Sequence, residues 1–392
     1  MPPKTSESAK DDPMRRVSVV HLLHTMAYGG IETVLINWFR RFDRTRIDAH
    51  LVVFANPGGT EQPFIDAATR LGIPVSTIPW GRRKPLIKAS RALAGTLRAH
   101  GAQVLHTHGY YADMVGPLAG RLAGVKTITT LYVWIGRGLN WKRSVLQTLD
   151  GWAARWFDQI SVHCEETGRQ TVARGIRPER LKTLICGFEP HPVTLSPSER
   201  TTRRRAAGAA DDELVLVNVA RLYPEKTQDA LLRSFQRIHA ACPRTRLWIA
   251  GIGPLDQELR ALTRALGLDE AVRFVGFVDD LPELLALCDV QLHPAAIEGV
   301  PLAVCAGMVA ELPVVASAVG GIPEVVKDGV TGVLVPPSDE AAFADAAIEL
   351  LGDPVRRREL GQAARRFIEQ EYSLEVAVRR VEQTYREMLT PA

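Results

Sequence analysis

Several things are scarce in this chain of 392 residues. No window approaches 18 consecutive apolar residues, so no membrane-spanning helix is expected. The start, MPPKTSESAKDDPMRR, lacks the apolar core of a signal peptide; residues 1–16 are expected to form a disordered tail, and the chain to be cytoplasmic, at most at the inner face of the membrane. Cysteine is limited to Cys164, Cys186, Cys242, Cys288 and Cys305, odd in number and without a C-x-x-C pair, which argues against a disulfide framework or a zinc centre. No D-x-D occurs, and the acidic pairs Asp11-Asp12, Asp211-Asp212 and Asp279-Asp280 do not follow strand ends as a divalent diphosphate site requires. No metal is therefore expected, and side chains must supply any cations.

What is present is an α/β pattern with a charge asymmetry. Residues 1–190 carry 26 Lys and Arg against 15 Asp and Glu, a balance of +11, while the remainder carries 22 against 29, a balance of −7. Opposite charge in the two halves points to two domains with different partners. Short β-rich runs alternate with helical periodicity throughout. Strands are expected at 17–23, 49–55, 75–78, 103–106, 126–130, 159–163 and 182–186, then at 214–220, 247–250, 272–276, 290–293, 313–317 and 332–335. The fold class is α/β: two Rossmann-like, doubly wound parallel-sheet domains facing a central cleft. Their expected spans are 17–190 and 213–365. A Pro-, Ser- and Arg-rich linker fills 191–212, and a helix within 366–392 is expected to cross back to the first domain.

In such sheets ligands bind off the carboxyl ends of strands, so loops that follow strands are the candidate sites. After strand one, MAYGGIE places Gly29 and Gly30 at the head of an amphipathic helix, where backbone N–H groups could approach an anion. The same pair also fits a plain tight turn. ARLYPEK sets Arg221 and Lys226 at a helix start, an unfavourable place for two cations unless an anion sits between them, with Thr227 placed to cap that helix. IAGIGP, containing Gly251, is only half a dinucleotide fingerprint. In EGVPLAVCAGMVAELPVVAS, Glu298 precedes twelve uncharged residues, and Pro301 suits a first helical turn. In HTHGYYAD, His106 and His108 are read as pointing to opposite strand faces, leaving His108 as the cleft-facing one.

In order, these motifs are G-G-x-E, R-x4-K, G-x-G-P, E-G-x-P, G-G-I-P-E and D-G-x-T-G. From about Val17 to Tyr385 the sequence resembles the retaining, nucleotide-sugar-dependent glycosyltransferases of family 4, with the GT-B fold. The resemblance implies that Arg221 and Lys226 clamp a donor diphosphate with help from the Gly29 and Gly30 backbone, and that Glu298 holds donor-sugar hydroxyls. It further implies that the amides of Gly299, Val300, Pro301 and Leu302 contact sugar and phosphate, that Phe277, Val278 and Gly251 lie near the nucleotide, and that His108 lies by the transferred sugar. No cofactor is implied, because the nucleotide sugar is a substrate. The acceptor is a glycan, a lipid-linked sugar or a small hydroxyl compound.

Two positions depart from the family. A second Glu is usual eight residues after the first, where it holds the ribose; here that position is Ala306. A His in a T-x-H setting is replaced by Tyr132. These departures keep two alternatives open: a catalytically weakened homologue acting as a nucleotide- or glycan-binding partner, or a GT-B epimerase or pseudo-glycosyltransferase. The basic segment 81–100, with Arg82, Arg83, Lys84, Lys88, Arg91 and Arg98, together with Trp134, Trp141, Trp152 and Trp156 among Arg137, Lys142, Arg143 and Arg155, predicts peripheral contact with an anionic membrane. Nucleic acid is not expected, since no binding motif accompanies the charge.

Overall fold

A computed structural model describes residues 16–25, 29–81, 84–132, 141–189, 192–299 and 301–390. Arg82, Arg83, Trp134, Arg137, Val300 and nearly all of the N-terminal tail lie outside these residues, as do the side chains of Trp141, Lys142 and Arg143. The chain forms two compact units. One comprises Met1–Val162, Gln170–Leu184 and Ala377–Ala392; the other comprises His163–Arg169 and Ile185–Val376.

The first unit runs β1 (Val17–Leu23), α1 (Gly30–Arg41), β2 (Ile47–Ala55), α2 (Gln62–Arg70), β3 (Val75–Pro79), α3 (Leu86–Ala99) and β4 (Val104–His108). It continues through α4 (Tyr110–Ala123), β5 (Lys126–Leu131), α5 (Trp141–Ala154), β6 (Gln159–Val162), α6 (Glu165–Ala173), whose residues 165–169 group with the second unit, and β7 (Leu181–Thr183). Its parallel sheet has the order β3-β2-β1-β4-β5-β6-β7. Both faces are covered by helices, which is why β1 reads as a nearly unbroken apolar run, with Val19, Val20, Leu22 and Leu23 all buried. Helix α4 lies close on the sheet because Gly116 and Gly120 face Thr107 and Thr127; a Cβ at either glycine would come within 2.6 or 2.2 Å of a threonine methyl.

The second unit holds α7 (Pro197–Ala206), β8 (Leu214–Val219), α8 (Gln228–Ala241), β9 (Thr245–Ala250), α9 (Asp256–Ala265), β10 (Val272–Gly276), α10 (Leu281–Ala286) and β11 (Val290–His293). Then come α11 (Leu302–Val309), β12 (Val314–Ser317), α12 (Ile322–Val325), β13 (Val333–Val335), α13 (Glu340–Gly352) and α14 (Pro354–Glu371). Its parallel sheet is ordered β10-β9-β8-β11-β12-β13. One core packs Leu216, Leu247, Ile249 and Leu292 with Leu231, Phe235 and Phe343. Another packs Val215, Val217 and Trp248 with Leu285 and Ala306. Helix α15 (Leu374–Leu389) starts in this unit, and from Ala377 onward its residues group with the first. There Glu382 accepts a hydrogen bond from the Asp43 N–H at 2.9 Å.

Candidate active site

Each sheet reverses its strand order at one place, between β1 and β4 in the first unit and between β8 and β11 in the second. Loops leaving two such strands diverge to opposite sides and open a crevice at their carboxyl ends. The sequence motifs fall on these loops. The R-x4-K segment follows β8 and Glu298 follows β11; Gly29 and Gly30 follow β1, and His108 ends β4.

At the β8/β11 crevice Lys226 Nζ donates to Glu298 Oε2 at 2.6 Å, and His293 Nε2 lies 2.9 Å from the same oxygen. The Gly299 N–H donates to Oε1 at 3.2 Å. Lys226 and Glu298 side chains are only 13% and 11% exposed, so the pair sits in a largely desolvated recess. Burial alone would raise the Glu298 carboxyl, but His293, by hydrogen bond and charge, and then Lys226 hold it down at about 2. Glu298 is thus fixed as a carboxylate near neutral pH, an acceptor suited to hydroxyl groups and unsuited to donating a proton. His293 went unnoticed in the sequence because it closes a buried strand and reads as core; its five-residue spacing from Glu298 was the available signal. Its Nδ1 is buried without a hydrogen-bond partner.

The loop after β8 is shaped to deliver Lys226. Pro224–Lys226 form a 3₁₀ turn, and Thr227 takes a left-handed conformation at φ 48°. The expected capping by Thr227 does not occur: its hydroxyl donates to the Pro294 carbonyl at 2.7 Å instead, joining the β8 and β11 loops. The Ala296 N–H reinforces that link through the Glu225 carbonyl at 3.0 Å. Arg221 stands on the same loop but does not contact Glu298. Its side chain is 64% exposed; the guanidinium carbon lies 4.8 Å from the Tyr223 ring centroid and an Nη nitrogen lies 3.6 Å from Glu225 Oε1.

The glycine motifs serve backbone approach. A Cβ at Gly251 would lie 1.9 Å from the Ala220 carbonyl oxygen, and one at Gly253 2.3 Å from that of Leu222, so the β9 turn packs directly against the Arg221 loop. Gly251, expected near the nucleotide, has this packing role in the fold. Gly320 and Gly321 likewise meet the carbonyl oxygens of Glu298 and Gly299, at 1.7 and 2.3 Å from an added Cβ, with Gly320 at φ 54°. D-G-x-T-G forms a turn in which Asp328 accepts from the Leu334 N–H. Phe277 stands exposed beyond β10 beside the half-buried Val278.

Several expectations need correction. Pro301 has no N–H and the Gly299 N–H is held by Glu298, so of the expected run Gly299 to Leu302 only Leu302 offers a described amide at the start of α11. Ala306 is buried in an apolar cluster with Val217 and Trp248, so a carboxylate there would enter the core. In the first unit the Gly29 N–H donates to Glu32 Oε2 at 3.0 Å, so G-G-x-E caps its own helix. Gly30 opens α1 with no atom within 4 Å of an added Cβ.

The reading of His106 and His108 is also reversed, because residues two apart on a strand share a face. Their ring centroids are 4.2 Å apart, and with His21 they form a fully buried cluster whose nitrogens could in principle hold a metal. Five of the six ring nitrogens have partners, and only His21 Nε2 is buried without one. His108 pairs with His21 at 3.2 Å and with the Tyr132 hydroxyl at 3.1 Å, and His106 pairs with Tyr385 at 2.7 Å and Thr130 at 2.6 Å. Burial depresses His21 to about 3, keeping it neutral. His108 is thus enclosed, and the half-buried Tyr132 is the outer member of its hydrogen-bonded pair.

Two doubly wound parallel sheets, each with motif-bearing loops at its switch point, define a Rossmann-like α/β protein of two units. The chain belongs to the family-4-type glycosyltransferases: residues 199–367 match the family described as "Glycosyl transferases group 1", and residues 29–187 match "Glycosyl transferase 4-like domain". It is similar to EpsD of Bacillus subtilis (strain 168), named as a glycosyltransferase, with 29% identity over 84% of this chain and 86% of that protein. It is also similar to a D-inositol 3-phosphate glycosyltransferase of Kribbella flavida, with 27% identity over 92% and 93% of the two chains. The crystal structure of Anabaena Alr3699/HepE in complex with UDP superposes with a TM-score of 0.82 over 95% of this chain and 100% of that one; at 21% identity this shows the shared GT-B fold. Among the described residues no helix is long and apolar enough to cross a membrane.

Proposed function

We propose that the chain transfers a sugar from a nucleoside diphosphate sugar to a hydroxyl acceptor, with retention of anomeric configuration and without a metal. The observation that carries this reading is the Lys226–Glu298–His293 cluster at the β8/β11 switch point. Glu298, held ionised, accepts hydrogen bonds from donor-sugar hydroxyls. Lys226 has two further N–H donors for the diphosphate, and Arg221 is an exposed arm able to close on it. The bond between the anomeric carbon and the leaving phosphate oxygen breaks, and the acceptor oxygen bonds to that carbon on the same face. The acceptor proton passes to the leaving phosphate. Such a reaction needs no carboxylate dyad in the protein, only donors aimed at the developing phosphate charge.

Relatives named for GDP-mannose dependence and the UDP-bound structural neighbour supply the first donors to test. The acceptor belongs to polysaccharide, glycolipid or natural-product assembly. Release of nucleoside diphosphate from a panel of UDP, GDP and ADP sugars, with and without a lipid extract, checks the reaction, and product anomeric configuration by NMR checks retention. Lys226→Ala or Arg221→Ala is expected to reduce turnover by about 100- to 1000-fold. Unchanged turnover in both would overturn the assignment. The buried Ala306 favours one other reading, a nucleotide-binding partner with weakened catalysis, which predicts nucleotide binding without turnover on any donor.

A further inference from the structure

The first unit carries a surface whose chemistry the transfer reaction does not use. Between α4 and α5 runs a groove of about 380 Å³ lined by Leu86, Met114, Leu118, Leu149, Trp152 and Trp156. These are large apolar groups on a water-facing side: Trp152 is 58% exposed, and Ile87, beside the groove on α3, is 61% exposed. Contiguous exposed apolar surface of this kind marks an interaction site. Nothing in the unit's own packing requires it, since the inner faces of α3 and α4 already bury Leu93, Leu97, Val115 and Ala119.

The groove continues into a second cavity of about 480 Å³ that shares Pro117, Arg121 and Trp156 with it and adds Arg155 and Arg180. Arg121 lies over the Trp156 ring, 4.6 Å from its centroid, at the junction of the two. Arg155 and Arg180 donate to the backbone carbonyls of Arg174 and Arg155. Among the described residues none of the three arginines forms an ion pair. The one acid lining this cavity, Asp158, accepts from the Thr127 N–H and hydroxyl at 2.8 and 2.9 Å.

The exposed charge around the groove is mostly positive, Asp158 being the one acid at its edge. From Lys84 to Phe157 the sequence has only two acids, Asp113 and Asp150, and the fold buries both. The outward charges of α3, Lys88, Arg91 and Arg98, are therefore all positive. A second copy of this face would bring like charges together, whereas an anionic lipid surface complements both the arginines and the apolar slot.

We infer that the α3–α5 face docks on a membrane containing anionic phospholipid, with an acyl chain in the α4/α5 groove and the headgroup phosphate against Arg121 and Arg155. This deepens the expected membrane contact by assigning it a surface, and it holds whichever sugar is transferred. The test is co-sedimentation of the full chain with vesicles of phosphatidylcholine alone and of phosphatidylcholine mixed with phosphatidylglycerol. The wild-type chain is expected to pellet with the mixed vesicles at low salt, to be released by salt, and to ignore the neutral ones. Replacing Lys88 and Arg91 by Glu should weaken binding by at least about fivefold per residue. Trp152→Ser with Trp156→Ser should weaken it by at least about tenfold while UDP or GDP binding persists. The charge variant alters only exposed residues, so it decides the matter even if the tryptophan variant misfolds. Wild-type binding that is absent, indifferent to lipid charge or unaffected by the charge variant overturns the inference. A wild-type dimer dissolved by the tryptophan variant, without vesicle binding, overturns it in favour of self-association.

Discussion

Glu298 shows how residue-scale balance sets chemistry. Its carboxyl lies below the usual 4.5 only because His293 and Lys226 outweigh burial. Since the folded value is depressed, the cluster contributes stability that is present above the ordinary carboxylate range and is lost as pH falls toward about 2. Replacing His293 by Leu leaves burial less opposed and raises the carboxyl. The acid limb of the kcat/KM profile should then move to higher pH; an unmoved limb would show that His293 does not tune Glu298. The Asp113–Asp150 pair behaves oppositely. Burial, opposed by the Asp150, Thr107 and Thr129 hydrogen bonds, pushes Asp113 up to about 6, and burial with the neighbouring Asp113 charge raises Asp150. Asp113 Oδ2 and Asp150 Oδ1 have no donor, and one shared proton satisfies both. A raised folded value gives stability that is present below the ordinary carboxylate range and lost as pH rises through about 6. Asp113→Asn should therefore flatten the decline of thermal stability between about pH 4 and pH 6, as read by melting temperature.

At the scale of elements, close backbone approach builds the second unit's site. The β9 turn reaches the Arg221 loop only because Gly251 adopts φ 145° and lacks a Cβ. Gly251→Ala is expected to cost about 1–3 kcal/mol by thermal denaturation and to weaken nucleotide binding through the displaced loop. Ala306→Glu, which would supply the second Glu usual in the resembled family, should lower the melting temperature, because the position packs in the cluster of Val217 and Trp248. Much at this scale was legible. Among the described residues the thirteen strands lie where apolar β-rich runs placed them, within a few residues at their ends, since strands covered on both faces betray themselves as continuous hydrophobic stretches. The left-handed Thr227 was not legible, because capping propensity is local whereas its hydroxyl answers the distant Pro294 carbonyl. His293 escaped for a similar reason: a histidine at the end of a buried strand looks like core until the neighbouring loop brings Glu298 to it.

For the whole molecule, two sheets of the same winding each place their motif-bearing loops at the point where strand order reverses. The sequence conveyed the alternation of elements but not the strand order, which depends on contacts remote along the chain. Part of the charge asymmetry also acquires a location, with Arg121 lining the apolar groove on α4 and α5 and Lys88, Arg91 and Arg98 exposed on α3. The central claim is that the β8/β11 switch point holds a nucleoside diphosphate sugar through Lys226 and Glu298. Isothermal titration of UDP and of GDP into the wild-type chain and into Lys226→Ala tests it most directly. The account predicts that the wild type binds at least one of the two nucleotides and that the variant binds it at least about tenfold more weakly, the loss of one charge-assisted contact. Equal binding by the two proteins, or no binding of either nucleotide by the wild type, would contradict it.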